Sequence, residues 1–252
     1  MPVVRSLGSS SSPSVLLVGG SPGDHRVWGG IEDALAGDHF VRLFDPLDHG
    51  LAPDRADASL QDLEDDLLAA AESVGDAVVV GFSLGAYLAA RVASRTAAVT
   101  GVVLLAGLTG ADPGSISLRL ALARKLEDGE VSSEMLSALA LSMWLPEDER
   151  EPDAVAVING MLADVDAERA IRGLRRLAQL GEPGREVAPF TVQGFVAHSE
   201  RDVAVPLAQG RELARLAQGA KLVILDSGSH VIPLSHPAHV LGWIRTASAR
   251  RG

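Results

Sequence analysis

The residue in this chain best placed for chemistry is a serine. Ser83 stands at the centre of Gly81-Phe82-Ser83-Leu84-Gly85, with the apolar run Ala77-Val78-Val79-Val80 directly before it and the helical pattern Ala86-Tyr87-Leu88-Ala89-Ala90-Arg91-Val92-Ala93 directly after. Glycines two positions either side of a serine suit a turn whose flanking backbones approach too closely for a Cβ. Such a turn, a nucleophile elbow, lifts the serine hydroxyl clear of the main chain. In a chain with 26 glycines the pentapeptide alone carries little, and its place between strand and helix carries the argument.

A serine hydroxyl is a poor nucleophile at neutral pH. It needs a base to take its proton and a carboxylate to orient that base. After an elbow of this kind the acid and then the histidine follow in chain order. Seven histidines are available. His230 follows Leu222-Val223-Ile224-Leu225 through a short Asp-Ser-Gly-Ser stretch, on the loop after the last strand, where the base belongs. His236 and His239 have the spacing of a metal pair but no third ligand, so no metal is expected. His198 ends a strand and faces the core or the pocket rim. His25, His39 and His49 read as loop or strand-edge residues, and His25 and His49 are the two expected nearest to substrate. The acid should lie on the loop after the preceding strand, where Asp202 stands in His198-Ser199-Glu200-Arg201-Asp202-Val203-Ala204-Val205-Pro206. Glu200 is a close alternative and Asp112 a more distant one. A loop aspartate on its own more often serves as a turn or cap residue.

Acyl transfer also needs two donors aimed at the developing oxyanion. The N–H of Leu84, at a helix N-terminus, supplies one. The second is expected from Val18-Gly19-Gly20-Ser21-Pro22-Gly23, at the N–H of Ser21 with Gly20 as the alternative. That loop lacks the lysine of a phosphate-binding loop and the G-x-G-x-x-G order of a dinucleotide site, so no nucleotide and no cofactor is expected.

These residues need a scaffold, and the hydrophobic pattern provides one. Strands are expected at 15–18, 40–44, 77–80, 99–105, 192–197 and 222–225, alternating with helices near 27–35, 60–71, 84–94, 207–216 and 236–247. Alternation of this sort makes an α/β fold, a mostly parallel sheet flanked by helices, and Val-rich runs without polar alternation fit strands buried on both faces. Between residues 112 and 186 the alternation stops and helical patterns follow one another at 117–126, 132–144, 153–162 and 166–180. The expectation is a core of residues 1–111 and 187–252 with an inserted all-helical lid, 112–186, over the carboxyl ends of the strands, where ligands bind in open α/β sheets. Met135, Met143, Trp144 and Met161 are expected either to line a substrate pocket or, more simply, to pack the lid onto the core.

Composition narrows the partners. Of 252 residues, 47% are apolar and 22% charged, the range of globular proteins. The formal net charge of −11 argues against nucleic acid and against anionic membrane surfaces, which demand a basic face. There is no cysteine, which removes disulfides, thiolate nucleophiles and zinc–thiolate sites. The N-terminus lacks the pattern of a signal peptide, its Gly8–Pro13 stretch reads as a lead-in loop, and no apolar stretch reaches the length of a membrane span, so a cytoplasmic location is expected. Lys125 and Lys221 are the only lysines among 22 basic residues, a usage typical of GC-rich bacterial genomes.

Over nearly its whole length the chain resembles the α/β-hydrolase superfamily, in the branch of small capped esterases, lactonases and cofactor-free haloperoxidases. The family's oxyanion loop corresponds to Gly19-Gly20, its Asp-x-x-Gly-x-Gly loop to Asp45-Pro46-Leu47-Asp48-His49-Gly50, its elbow to Gly81–Gly85, and its Gly-x-Gly-His to Gly228-Ser229-His230. Gly19 stands where histidine is usual, and Asp48 and Ser229 stand where glycine is usual. The stretch from Pro189 to Asp202 is longer than the family's strand and loop, which leaves room for a bulge or a shifted acid. The resemblance implies a serine hydrolase of small esters, lactones or thioesters that uses Ser83, Asp202 and His230 and no cofactor; Gly20, His25 and Trp144 are the residues expected, from their own positions, to contact a small-molecule substrate. The scaffold is also known to host non-hydrolytic or C–C chemistry with the same triad, which stands as the alternative, and ligand binding by a silent triad stands as the second.

Overall fold

Runs such as Val15-Leu16-Leu17-Val18 and Ala77-Val78-Val79-Val80 leave no polar face to turn toward water. In the computed structural model, which describes residues 3–249, they form the middle of a seven-stranded sheet. Its strands are β1 (Val3–Leu7), β2 (Ser14–Val18), β3 (Phe40–Phe44), β4 (Ala77–Phe82), β5 (Val99–Leu105), β6 (Phe190–Ser199) and β7 (Ala217–Leu225), in the spatial order β1-β3-β2-β4-β5-β6-β7. β1 runs antiparallel to β3, and every other pairing is parallel. Alternate side chains enter two cores. Leu16, Val18 and Val79 pack with Leu63, Leu67 and Leu88 on one face. Val15, Leu17, Val78 and Val80 pack with Trp28, Ile31 and Ile244 on the other.

The flanking helices are α1 (Ile31–Leu35), α2 (Leu60–Val74), α3 (Leu84–Ala93), α8 (Leu207–Leu216), α9 (Ile232–Ser235) and α10 (Pro237–Ala249). Ser59 and Asp62 form a reciprocal capping box that starts α2. Between β5 and β6 the chain builds α4 (Pro113–Glu127), α5 (Ser133–Trp144), α6 (Pro152–Ala163) and α7 (Ala167–Ala178), with a 3-10 turn at Glu147–Glu149. Asp112, Ser132 and Asp166 cap α4, α5 and α7 through side-chain oxygens that accept backbone N–H groups of the first turn. Among the described residues no helix is long and apolar enough to cross a membrane.

Four details differ from the sequence reading. β1 was not expected. It is a short edge strand in which Arg5 and Ser6 are exposed, so it carries no apolar signature, and the Gly8–Pro13 stretch therefore joins two strands rather than leading in. The helix expected at 27–35 is broken into a 3-10 turn, His25–Trp28, and α1, because Gly29 and Gly30 both take left-handed conformations with φ of 44° and 85°. β7 begins five residues before the expected 222, as a half-exposed edge strand. β6 is also longer than expected, and its pairing register with β7 shifts between Thr191 and Gly194. That shift absorbs the extra length before Asp202.

Candidate active site

The elbow is strained as its sequence requires. Ser83 has φ 54° and ψ −115°, a backbone conformation that costs a non-glycine residue about 1–3 kcal/mol. A Cβ on Gly81 would lie 2.3 Å from the carbonyl oxygen of Gly85, and one on Gly85 would lie 2.4 Å from that of Val18. The surroundings hold the turn in place: the Ser83 N–H donates to the Leu105 carbonyl at 2.9 Å, and the Ser83 carbonyl accepts the N–H groups of Ala86 and Tyr87.

His230 comes from the loop after β7 and Asp202 from the loop after β6, so both meet Ser83 at the carboxyl ends of the parallel strands. His230 Nε2 is 3.1 Å from Ser83 Oγ, and His230 Nδ1 is 2.7 Å from Asp202 Oδ2. The other carboxylate oxygen of Asp202 accepts the N–H groups of Ala204 and Val205 at 2.8 and 2.9 Å. Burial alone would raise the Asp202 pKa. The charge and hydrogen bond of His230, the Val205 N–H and His198 outweigh it and hold the carboxyl below its ordinary value. His198 is fully buried. Its Nε2 donates to the Val205 carbonyl at 2.8 Å and lies 3.6 Å from Asp202 Oδ2, while burial lowers its pKa. It therefore supports the acid loop from beneath rather than facing the pocket rim.

The histidine loop is held from two sides. Ser199 Oγ donates to the Ser229 carbonyl at 2.5 Å. From the helical insertion, Glu149 accepts the Gly228 N–H at 2.6 Å and the Ser227 hydroxyl, and the Trp144 carbonyl accepts the His230 N–H at 2.8 Å. Glu149 was not singled out by sequence reasoning, because an exposed-looking acid in a Glu-Asp-Glu run carries no local sign of its partner.

Ser83 and His230 open into a cavity of about 400 Å³ roofed by α4–α7 and floored by the Ser21–Pro22 and Val203–Pro206 segments. Its wall is mostly apolar, including Leu108, Leu122, Met143, Trp144 and Leu174, and Leu118, Leu139 and Val203 remain exposed at its edge. Leu84 opens α3, where its N–H has no intrahelical partner. Ser21 lines the same cavity, and Gly20 lies beneath the elbow: a Cβ there would sit 3.0 Å from the Ser83 Cβ.

The remaining expected residues are distributed unevenly. Trp144 lines the cavity, and so does Met143. Met135 is 59% exposed, and Met161 is buried beside a second cavity. His25 does not reach Ser83. Its N–H and Nδ1 bond the two oxygens of buried Asp45, which raises its pKa, and it lines that second, more polar cavity of about 390 Å³ with His49 and Arg169. The two cavities meet at Ser21, Pro22 and Val165. Among the other candidate acids, Glu200 is exposed and Asp112 caps α4. His39 bonds Asp38, and His236 and His239 stand with ring centroids 6.0 Å apart. Among the described residues no group of three His, Cys, Asp or Glu side chains is placed to hold a metal ion.

Residues 15–241 match the alpha/beta hydrolase family. Among curated proteins none matches the chain by sequence. Solved structures that share the fold include an enol-lactonase from Burkholderia xenovorans LB400, with 24% identity, TM-score 0.81 and coverage of 98% of this chain and 95% of that one. A thermophilic esterase from Thermogutta terrifontis superposes with TM-score 0.80 at 20% identity, covering 97% and 93%. A bromoperoxidase from Bacillus anthracis does so with TM-score 0.80 at 15% identity, covering 96% and 93%.

Proposed function

The chain belongs to the alpha/beta hydrolase family, and from that premise we propose that it is a serine-dependent hydrolase of small carboxylic esters, with lactones and thioesters as close variants. The observation that carries this reading is the continuous Ser83–His230–Asp202 hydrogen-bond chain, 3.1 and 2.7 Å, opening into a mostly apolar cavity. Ser83 Oγ attacks the substrate carbonyl while His230 Nε2 takes its proton, and Asp202 holds the imidazole and stabilises its charged form. The oxyanion receives the N–H groups of Leu84 and Ser21. His230 then protonates the departing alcohol, and a water deprotonated by the same nitrogen releases the acyl group from Ser83. The insertion, residues 112–186, acts as a lid that admits substrate and excludes bulk water.

The test is intact mass after exposure to an uncharged fluorophosphonate, on the wild type and on Ser83→Ala, with turnover of p-nitrophenyl acetate and butyrate. One adduct on the wild type alone, with turnover lost in the variant, is the expected result. Labelling without ester turnover would direct the triad to non-hydrolytic chemistry. No labelling of the wild type would sink the reading.

A further inference from the structure

One charged side chain in the cavity has no part in the steps above. Arg119, on α4, lines the same chamber as Ser83 and His230, and no aspartate or glutamate lines it. Apart from Ser83, His230 and the Trp144 indole, the polar side chains of the wall are the hydroxyls of Ser21, Ser115, Ser133 and Ser137. Among the described residues the Arg119 guanidinium makes one hydrogen bond, from Nη1 to the Leu177 carbonyl at 2.8 Å. Among the described residues no carboxylate lies within ion-pair distance of it. The chain is rich in carboxylates, and several of its partly buried arginines take them: Arg26, in the second cavity, pairs with Asp24 and Asp164, and Arg172 and Arg176 both pair with Asp48. Arg119 is half-buried, and that burial depresses its pKa, with Asp112 alone pulling the other way. A guanidinium has five N–H donors and stays charged, so most of its fork is unspent.

We propose that Arg119 recognises a carboxylate on the substrate, so that the preferred esters are those of a free acid rather than neutral ones. This rests on the hydrolase reading of the same cavity. The planar fork of arginine matches a carboxylate in two parallel hydrogen bonds, and the pairing is strengthened where water is excluded. The apolar wall shared with Ser83, including Leu108, Leu122 and Leu174, suits a short hydrocarbon spacer between that carboxylate and the scissile carbonyl. In a molecule of net charge −11 an anionic substrate is repelled at long range, and a local cation is what makes its capture favourable.

Two substrate pairs test this: monoethyl against diethyl glutarate, with the charge on the acyl side, and 4-acetoxybenzoate against phenyl acetate, with the charge on the alcohol side. For one pair the wild type is expected to favour the anionic member in kcat/KM by about ten- to a hundredfold, the range of charge-assisted hydrogen bonds. Arg119→Gln should bring that ratio near unity, and Arg119→Lys should keep part of it. The ratio within each variant does not depend on its absolute activity, so a role confined to ending α7 would leave it unmoved. Calorimetric titration of Ser83→Ala with monoethyl glutarate and with 4-acetoxybenzoate, with and without Arg119→Gln, needs no turnover. Binding that depends on Arg119 without any serine labelling would remove the hydrolase reading and keep the recognition. Ratios and binding both insensitive to Arg119→Gln would overturn the proposal.

Discussion

Asp202 gives each carboxylate oxygen a separate task. Oδ2 holds His230, and Oδ1 accepts two backbone N–H groups that fix the plane of the carboxylate. Asp202→Asn keeps the shape but places an NH₂ group opposite either the imidazole N–H or the backbone donors. We expect kcat for p-nitrophenyl butyrate to fall by about 10³–10⁴-fold, the loss usual for the third triad member, with KM changed little. A variant altered in KM alone would make Asp202 a purely structural residue. The meeting of Ser83, Asp202 and His230 was legible in the sequence because each carries its context locally: glycines at the elbow, an apolar run before the histidine, a strand before the aspartate. Glu149 and Arg119 were not. Their partners stand 79 and 58 residues away, and only folding brings them together. His25 was read as a substrate contact from its loop, yet Asp45 turns its ring into the neighbouring cavity.

At the scale of elements, the buried Asp48 carboxylate is where two arginines of α7 meet the core, with Asp54 and the Ala58 carbonyl beside it. Asp48, at φ 65° in the loop after β3, takes Arg172 at 2.9 and 2.6 Å and Arg176 at 3.2 Å. Burial would raise its pKa, and Arg172, a hydrogen bond shared with Asp54, and Arg176 together bring it down to about 2. A carboxyl whose pKa is depressed in the folded state stabilises that state above its ordinary value of 3.8, and the contribution fades as pH falls toward about 2. Asp48→Asn should therefore cost about 3 kcal/mol near neutral pH, because Arg176 is left buried and unpaired. The deficit relative to the wild type should shrink in acid; urea unfolding at pH 7 and at pH 3 measures both. An equal deficit at the two pH values would mean that packing, not charge, is what Asp48 supplies. The elements themselves were largely readable from hydrophobic period. What escaped was backbone-controlled or at an edge: the paired glycines that break the first helix, the register shift in β6, and β1, whose pairing with β3 supplies what its own sequence does not.

Across the whole molecule the charge is lopsided, with a sequence pI near 5.0. Repulsion between like-charged molecules vanishes there, so solubility should pass through a minimum near pH 5, measurable by turbidity or sedimentation, with folding intact by circular dichroism. A minimum accompanied by loss of secondary structure would point to unfolding instead of charge neutralisation. The wiring of the histidine loop bears on how such a molecule can be recombined. A roof helix bundle invites exchange with that of a relative, cut in the chain before α4 and after α7. Yet the Trp144 carbonyl and the Glu149 carboxylate reach across to residues 227–230. The true seam runs through the proposed base, and a chimera joined only at the two chain crossings would inherit a foreign cradle for its own histidine.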